Sequence, residues 1–201
     1  RDQVLGDRSV KLSAISDPVL IRADGSPLYT FTSVVDDLEM GITHIVRGED
    51  HVTNTGIQID IFEALGGKQG ALAFGHLPLL TDAEGGALSK RLGSISLRHV
   101  RKDGSEPAAL VGYLAALGTS NDPVAGMPAD LAPTYDLGKV SQSTARFDPR
   151  HMLALNRKLL HGISFDAVKE RLPEGADEDF WLAVRGNLDL LREAKPWFDV
   201  V

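Results

Sequence analysis

Apolar residues in the first 80 positions come in short bursts separated by turn residues. "VKLSAI" (10–15) and "PVLIRA" (18–23) alternate or run apolar and predict strands. "DGSP" (24–27) carries turn chemistry, with a glycine suited to positive φ and a proline whose ring fixes φ. "LYTFTSVV" (28–35) is β-branched and aromatic and predicts a further strand, followed by a short helical turn, "DDLEMG", stopped at Gly41. "THIVRG" (43–48) predicts a buried strand. "TNTGIQIDIFEALGG" predicts a helix, with Ile57, Ile61 and Leu65 at helical spacing and Gly66-Gly67 as its stop. "ALAFGHLPLL" (71–80) returns to strand. Strand and helix alternate, as they do where helices cover a parallel sheet, so this part predicts an α/β layer.

The pattern then changes. "PAALVGYLAALG" (107–118) predicts a helix with Pro107 in its first turn and Gly118 at its end. Positions 119–136 are rich in Pro, Gly, Asp and Asn and predict a loop. "DPRHMLALNRKLLHG" (148–162) predicts a helix with Met152, Leu155 and Leu159 on one face and Gly162 at its end. "SFDAVKERLP" (164–173) and "DFWLAVRGNLDLLREA" (179–194) predict two more helices. The second half therefore reads as a helical region appended to the α/β layer.

Composition sharpens this in a few places. A chain of 201 residues holds one or two domains and can bury a substantial core. No apolar run approaches the roughly 18 residues of a membrane-spanning helix, and no signal peptide is visible. The absence of cysteine excludes disulfides and thiolate metal sites and fits a reducing cytosol. A first residue that is not methionine and an apolar final stretch, "PWFDVV", suggest a piece of a longer protein. The net charge of −7 argues against a general nucleic-acid coat. Yet Lys90, Arg91, Arg98, Arg101 and Lys102 follow one another with no acidic residue between them. That strip suits phosphate contacts at one place; a solvated face with chance clustering is the plainer reading.

The densest polar cluster is "HIVRGEDH" (44–51). A strand delivers Arg47, Gly48 turns the chain, and Glu49, Asp50 and His51 follow. Ligands of open α/β sheets bind at the carboxyl ends of strands, where an arginine can clamp a carboxylate or phosphate with two parallel hydrogen bonds. A salt-bridged strand end with a helix cap accounts for the cluster equally well. Tyr29 and Ser33, four apart, share a face from which Tyr29 could orient a small ligand, although a core tyrosine is the commoner case. "ALSKR" (87–91) is no P-loop, since GxxxxGK[ST] is absent, but its Lys90 is a mobile charge that can reach phosphates. The histidines at 44, 51, 76, 99, 151 and 161 show no metal-ligand spacing.

Taken in order, "DGSPLYTFTSVVDDLEMGITHIVRGEDHVTNT", "FGHLPLL" and "LSKR" resemble the bacterial class I glutamyl-tRNA synthetases, and the likeness continues to "FDPRHMLALNRKLLHG". The resemblance implies the second half of a Rossmann-like catalytic domain (1–95), a mostly helical stem-contact region (96–163) and the start of an anticodon-binding helical bundle (164–201). It makes "LSKR" the counterpart of the family's KMSKS-type loop, with Lys90 and Arg91 as its charges and Ala87 where the first lysine usually stands. Tyr29 and Arg47 match glutamate-holding positions, and Ser33 stands where some members carry an asparagine. Asp50, His51, His76, Leu77, Leu79, Ser89 and Lys90 match the ATP site, and Arg98, Arg101 and Lys102 are expected to meet tRNA. The implied partners are L-glutamate, ATP with Mg2+, and tRNA(Glu), with tRNA(Gln) left open. No zinc site is expected, and the implied state is a cytoplasmic monomer. The family's HIGH-type motif is not in this sequence, so the chain alone is expected to be inactive. Two other readings are a noncatalytic tRNA-binding module using the basic strip and a paralogue that glutamylates a modified base of tRNA(Asp).

Overall fold

A computed structural model describes residues 1–86, 88 and 96–200, apart from the side chain of Leu12. The chain forms two compact units. The first comprises Arg1–Leu79 and Asp136–Thr144, the second Leu80–Tyr135 and Ala145–Val201.

In the first unit, α1 (Tyr29–Glu39) leads to β1 (His44–Gly48), α2 (Val52–Ala64) and β2 (Ala73–Leu77). The two strands pair in parallel, with Arg47 directly opposite His76, and α1 packs on α2. Asp2 makes a parallel bridge to Phe74, so β2 runs between β1 and the N-terminal segment. The β1–α2–β2 crossover is the α/β unit that the pattern predicts.

The strand expected over 28–35 is instead the helix α1. Its β-branched and hydroxyl residues fit because the Thr32 hydroxyl donates to the Leu28 carbonyl (3.4 Å) and the Ser33 hydroxyl to the Tyr29 carbonyl (2.7 Å), one helical turn back. Burial of Val34 on the helix face outweighs local β-propensity. Nor are 10–15 and 18–23 strands. Leu12–Ala14 form a 3-10 turn, and the later segment contributes one antiparallel bridge, Ile21 to Pro27, around Gly25 (φ 84°). The expected Asp24 turn is present, its carboxylate accepting from the Ser26 amide and hydroxyl.

In the second unit, β3 (Leu80–Thr81) pairs in parallel with β4 (Ala145–Arg146) across an insertion of helices: α3 (Leu97–Asp103), α4 (Pro107–Ala116) and the short α5 (Pro128–Leu131). The last of these lies in the stretch expected to be loop. After β4 come α6 (Pro149–Gly162), α7 (Phe165–Val168), α8 (Glu178–Val184) and α9 (Ala194–Phe198). One core joins Val100, Ala109, Tyr113, Phe147, Met152 and Leu155, and a second gathers Leu160, Val168, Trp181, Val184, Leu188, Leu191 and Ala194.

The single helix expected over 179–194 is broken between α8 and α9. Leu188, Leu190 and Leu191 are all buried, and residues so close in sequence cannot all face one side of a continuous helix. The break is tied down by the fully buried Asn156, whose amide donates to the Asp189 carbonyl at 2.6 Å and accepts from the Glu106 amide at 2.7 Å. Among the described residues no helix is long and apolar enough to cross a membrane, and no group of three or more His, Asp or Glu side chains could hold a metal ion.

Candidate functional site

Three elements converge on one guanidinium. The parallel register sets Arg47, near the end of β1, beside His76 of β2, and Arg47 Nε donates to His76 Nε2 (3.3 Å). From α2, Thr55 Oγ1 (2.8 Å) and Gln58 Oε1 (2.7 Å) accept from Nη2, with the His51 carbonyl at 3.4 Å. His51, Thr55 and Gln58 lie four and three residues apart, the spacing of one helix face. From α1, Tyr29 Oη accepts from Nη1 (3.0 Å). Gly48 leaves room for the Asp50 carboxylate where the chain turns after Arg47; a Cβ there would push the exposed Asp50 side chain aside.

A second ring of contacts holds the first. Asp2, 7% exposed, accepts from His76 Nδ1 (2.6 Å) and from the His76, Val4 and Leu5 amides. A carboxylate at Nδ1 and a donor-only guanidinium at Nε2 assign the neutral Nδ1–H tautomer to His76. Burial pushes the Asp2 carboxyl up, but hydrogen bonds from Leu5, the His76 ring, Val4 and the His76 amide outweigh it, and the pKa falls to about 2. The Gln58 amide donates to Ser33 Oγ (2.8 Å). Phe74 stacks parallel to His76 at 6.2 Å, and Arg47 lies 6.0 Å from its ring centre. No carboxylate lies within ion-pair distance of Arg47 among the described residues. Asp37 feels the guanidinium, but burial dominates and its carboxyl is raised despite Arg47.

The structure therefore gathers Tyr29, Ser33, Arg47, His51 and His76 into one network. Tyr29 and Ser33 share a face, by helical rather than strand periodicity. Tyr29 is 49% exposed and meets His51 edge-on at 5.4 Å. His51 Nδ1 is buried without a partner among the described residues, and its Nε2 lies 3.8 Å from Asp50. His76 is 2% exposed with both ring nitrogens engaged. Leu77 ends β2, and the exposed Leu79 donates its amide to Glu49 (3.3 Å). Arg98, Arg101 and Lys102 lie on α3 in the second unit, where Arg101 joins Arg171 and Arg192 in lining a cleft of about 530 Å³. Ala87, Ser89, Lys90 and Arg91 lie outside the described residues.

Sequence reasoning missed Asp2, Thr55 and Gln58. For the α2 pair the signal was present: the polar set 51, 55, 58 repeats at helical spacing and marks a polar face. The apolar set chosen instead is not the buried one. Gln58 and Phe62 are buried, whereas Leu65 is 43% exposed. Nothing local marks Asp2, 74 residues from its partner.

Known proteins resemble this chain in sequence and in fold. Residues 1–127 match the family model "tRNA synthetases class I (E and Q), catalytic domain". A glutamate–tRNA ligase 2 of Acidiphilium cryptum is 62% identical over 200 residues, all of this chain and 45% of the relative. One of Granulibacter bethesdensis is 62% identical over 201 residues, 44% of that relative. This chain thus spans a little under half the length of the curated relatives it matches. The crystal structure of a glutamate-tRNA synthetase from Elizabethkingia anophelis superposes with a TM-score of 0.80 at 26% identity, covering 97% of this chain and 45% of that one. With the family model matched over more than half of this chain, and with the fold of solved glutamate-tRNA synthetases, the chain belongs to the class I tRNA synthetases (E and Q), residues 1–127 matching their catalytic domain.

Proposed function

We propose that an enzyme containing this chain activates L-glutamate with ATP and transfers the glutamyl group to the 3′ end of tRNA(Glu). The observation that carries this reading is a guanidinium held open at a strand tip by neutral acceptors, with a half-exposed tyrosine beside it. In the first step the α-carboxylate of glutamate forms a bond to the α-phosphorus of ATP, and pyrophosphate leaves with the electrons of the broken P–O bond. In the second, a terminal ribose hydroxyl attacks the glutamyl carbonyl and AMP leaves. The α-carboxylate must remain nucleophilic, so the Arg47 clamp takes the side-chain carboxylate. Tyr29 orients the substrate at the rim, and Ser33 acts through Gln58.

Asp50, His51, Leu77 and Leu79 form the nucleotide side of the site in this reading, with Ser89, Lys90 and Arg91 facing the phosphates. Mg2+ enters as the counterion of ATP and is part of the substrate. His76, with its ring fully engaged, braces Arg47. Residues 1–95 act as the catalytic part, 96–163 as the stem-contact region and 164–201 as the start of a helical bundle. Arg98, Arg101 and Lys102 meet tRNA phosphates, the enzyme works as a cytoplasmic monomer, and tRNA(Gln) is the second tRNA to assay. The decisive experiment is amino-acid-dependent ATP–pyrophosphate exchange by an enzyme of the relatives' full length carrying these residues. Glutamate should support exchange, and Arg47→Ala should lower it about 1,000-fold. Exchange at the unsubstituted rate in that variant refutes the assignment.

A further inference from the structure

We propose that Gln58, acting with the Asp2–His76 pair, is a specificity-determining positioning element that fixes Arg47 without neutralising it and so reserves its charge for a substrate carboxylate. The proposal rests on the glutamate reading above.

Arginine's usual strong partner is a carboxylate, which holds it through short, charge-assisted bonds. Here every acceptor on Arg47 is neutral: the His76 ring, the Tyr29 and Thr55 hydroxyls, the His51 carbonyl and the Gln58 amide oxygen. Gln58 is 4% exposed and spans two different demands. Its oxygen must accept from a guanidinium that only donates. Its nitrogen must donate to Ser33 Oγ, whose own proton goes to the Tyr29 carbonyl. An amide meets both demands. A glutamate of the same shape could accept from Arg47, but it would place a negative charge where the substrate's own belongs and would leave Ser33 without its donor.

His76 follows the same logic one step further away. Asp2 takes the Nδ1 proton, so Nε2 presents a lone pair to Arg47, and the carboxylate that enforces this stands on the far side of the imidazole. The guanidinium is thus locked in place by side chains from α1, α2 and β2 while its charge stays uncancelled. Such a site favours an acid over the amide of equal size, because the amide leaves the cation unpaired once water is displaced.

The test uses an enzyme of the relatives' full length, with exchange kinetics for glutamate, glutamine and ATP. Gln58→Glu should raise KM for glutamate on the order of 100-fold, a charge-pair loss, with KM for ATP unchanged and the preference for glutamate over glutamine reduced. Gln58→Met, which keeps the shape and loses both hydrogen bonds, should raise it only about tenfold and keep that preference, as expected for lost neutral bonds. Equal effects of the two variants, or an unchanged glutamate KM in Gln58→Glu, would overturn the proposal.

Asp2→Asn supplies a route independent of how well Gln58→Glu folds. An asparagine amide donating to Nδ1 would shift the His76 proton to Nε2, pointing it at Arg47. The ring-nitrogen NMR signals of His76 should report that tautomer change together with a raised glutamate KM, and an altered tautomer with unaltered KM would sink the idea. Should Arg47→Ala itself leave glutamate kinetics unaffected, the failure would lie in the underlying site assignment rather than in the role of Gln58.

Discussion

Arg47 in the first unit and Arg171 in the second are the same residue type put to opposite uses. Arg171 donates to Glu106, a carboxylate whose side chain is 10% exposed, at 2.7 Å, and caps the bond with a contact to the Ala167 carbonyl. Arg150 is likewise held by Asp148 through both carboxylate oxygens, and those bonds bring the Asp148 carboxyl down to about 2. In these pairs the cation compensates an anion that folding has removed from water. Arg47 is as thoroughly hydrogen-bonded, yet its partners carry no charge. A desolvated carboxylate needs its arginine, whereas an arginine fixed by neutral groups still needs an anion. In the proposed reading, the contrast separates an arginine that stabilises the fold from one whose charge is kept for a ligand.

The comparison can be broken or sharpened by experiment. The largest effect is expected for Arg47→Ala. Glutamate-dependent exchange should fall about 1,000-fold, the ~4 kcal/mol of a desolvated charge pair, and a loss no greater than that of Arg171→Ala would erase the distinction. Acidification should reach Asp2 next. Its pKa is lowered from 3.8 to about 2 on folding, so its contribution is complete above about pH 4 and disappears as the pH falls toward 2. The shift corresponds to roughly 2 kcal/mol. Denaturant titrations across that window should lose this increment in the native sequence, and the slope should flatten in Asp2→Asn.

Arg171→Ala should act on stability rather than on exchange. It leaves Glu106 buried without its cation, and partial exposure of Arg171 reduces the cost to about 1–2 kcal/mol, measurable as a lower urea midpoint. The smallest effect is expected for Arg150→Ala. The arginine side chain is 83% exposed, and Asp148 would keep its helix-capping bond from the backbone amide of residue 150. The urea midpoint should scarcely move, as expected for a solvent-exposed ion pair.

Much of this was legible along the chain. β1, α2, β2, α4 and α6 follow from periodicity and from their flanking Gly and Pro, although β1, expected to be a buried strand, holds no buried residue, and α2 buries Gln58 and Phe62 rather than its apolar stripe. Arg47, Tyr29 and Ser33 were identified because they cluster in sequence or match a family in order. What failed did so for identifiable reasons. "LYTFTSVV" has strand composition but helical burial, and its hydroxyls satisfy the helix backbone in a way propensity does not register. "DFWLAVRGNLDLLREA" has helical composition, but the closely spaced Leu188, Leu190 and Leu191 are all buried and a side chain from α6 holds the interruption open. The Ile57, Ile61, Leu65 stripe misled because the polar Gln58 is what lies buried, and a buried polar residue is recognisable only with its partners in view.

By itself, then, the sequence determined the alternation of elements, the polar turn after β1 and the family to which the chain belongs, since these depend on residues close together or on the order of motifs. The tertiary structure alone decided that Asp2 braces His76 from 74 positions away, that α1 is a helix, and that Arg47 is held entirely by uncharged groups. The reason is physical: local spacing dictates which face of an element is apolar, but whether a charge is cancelled depends on what distant backbone brings beside it.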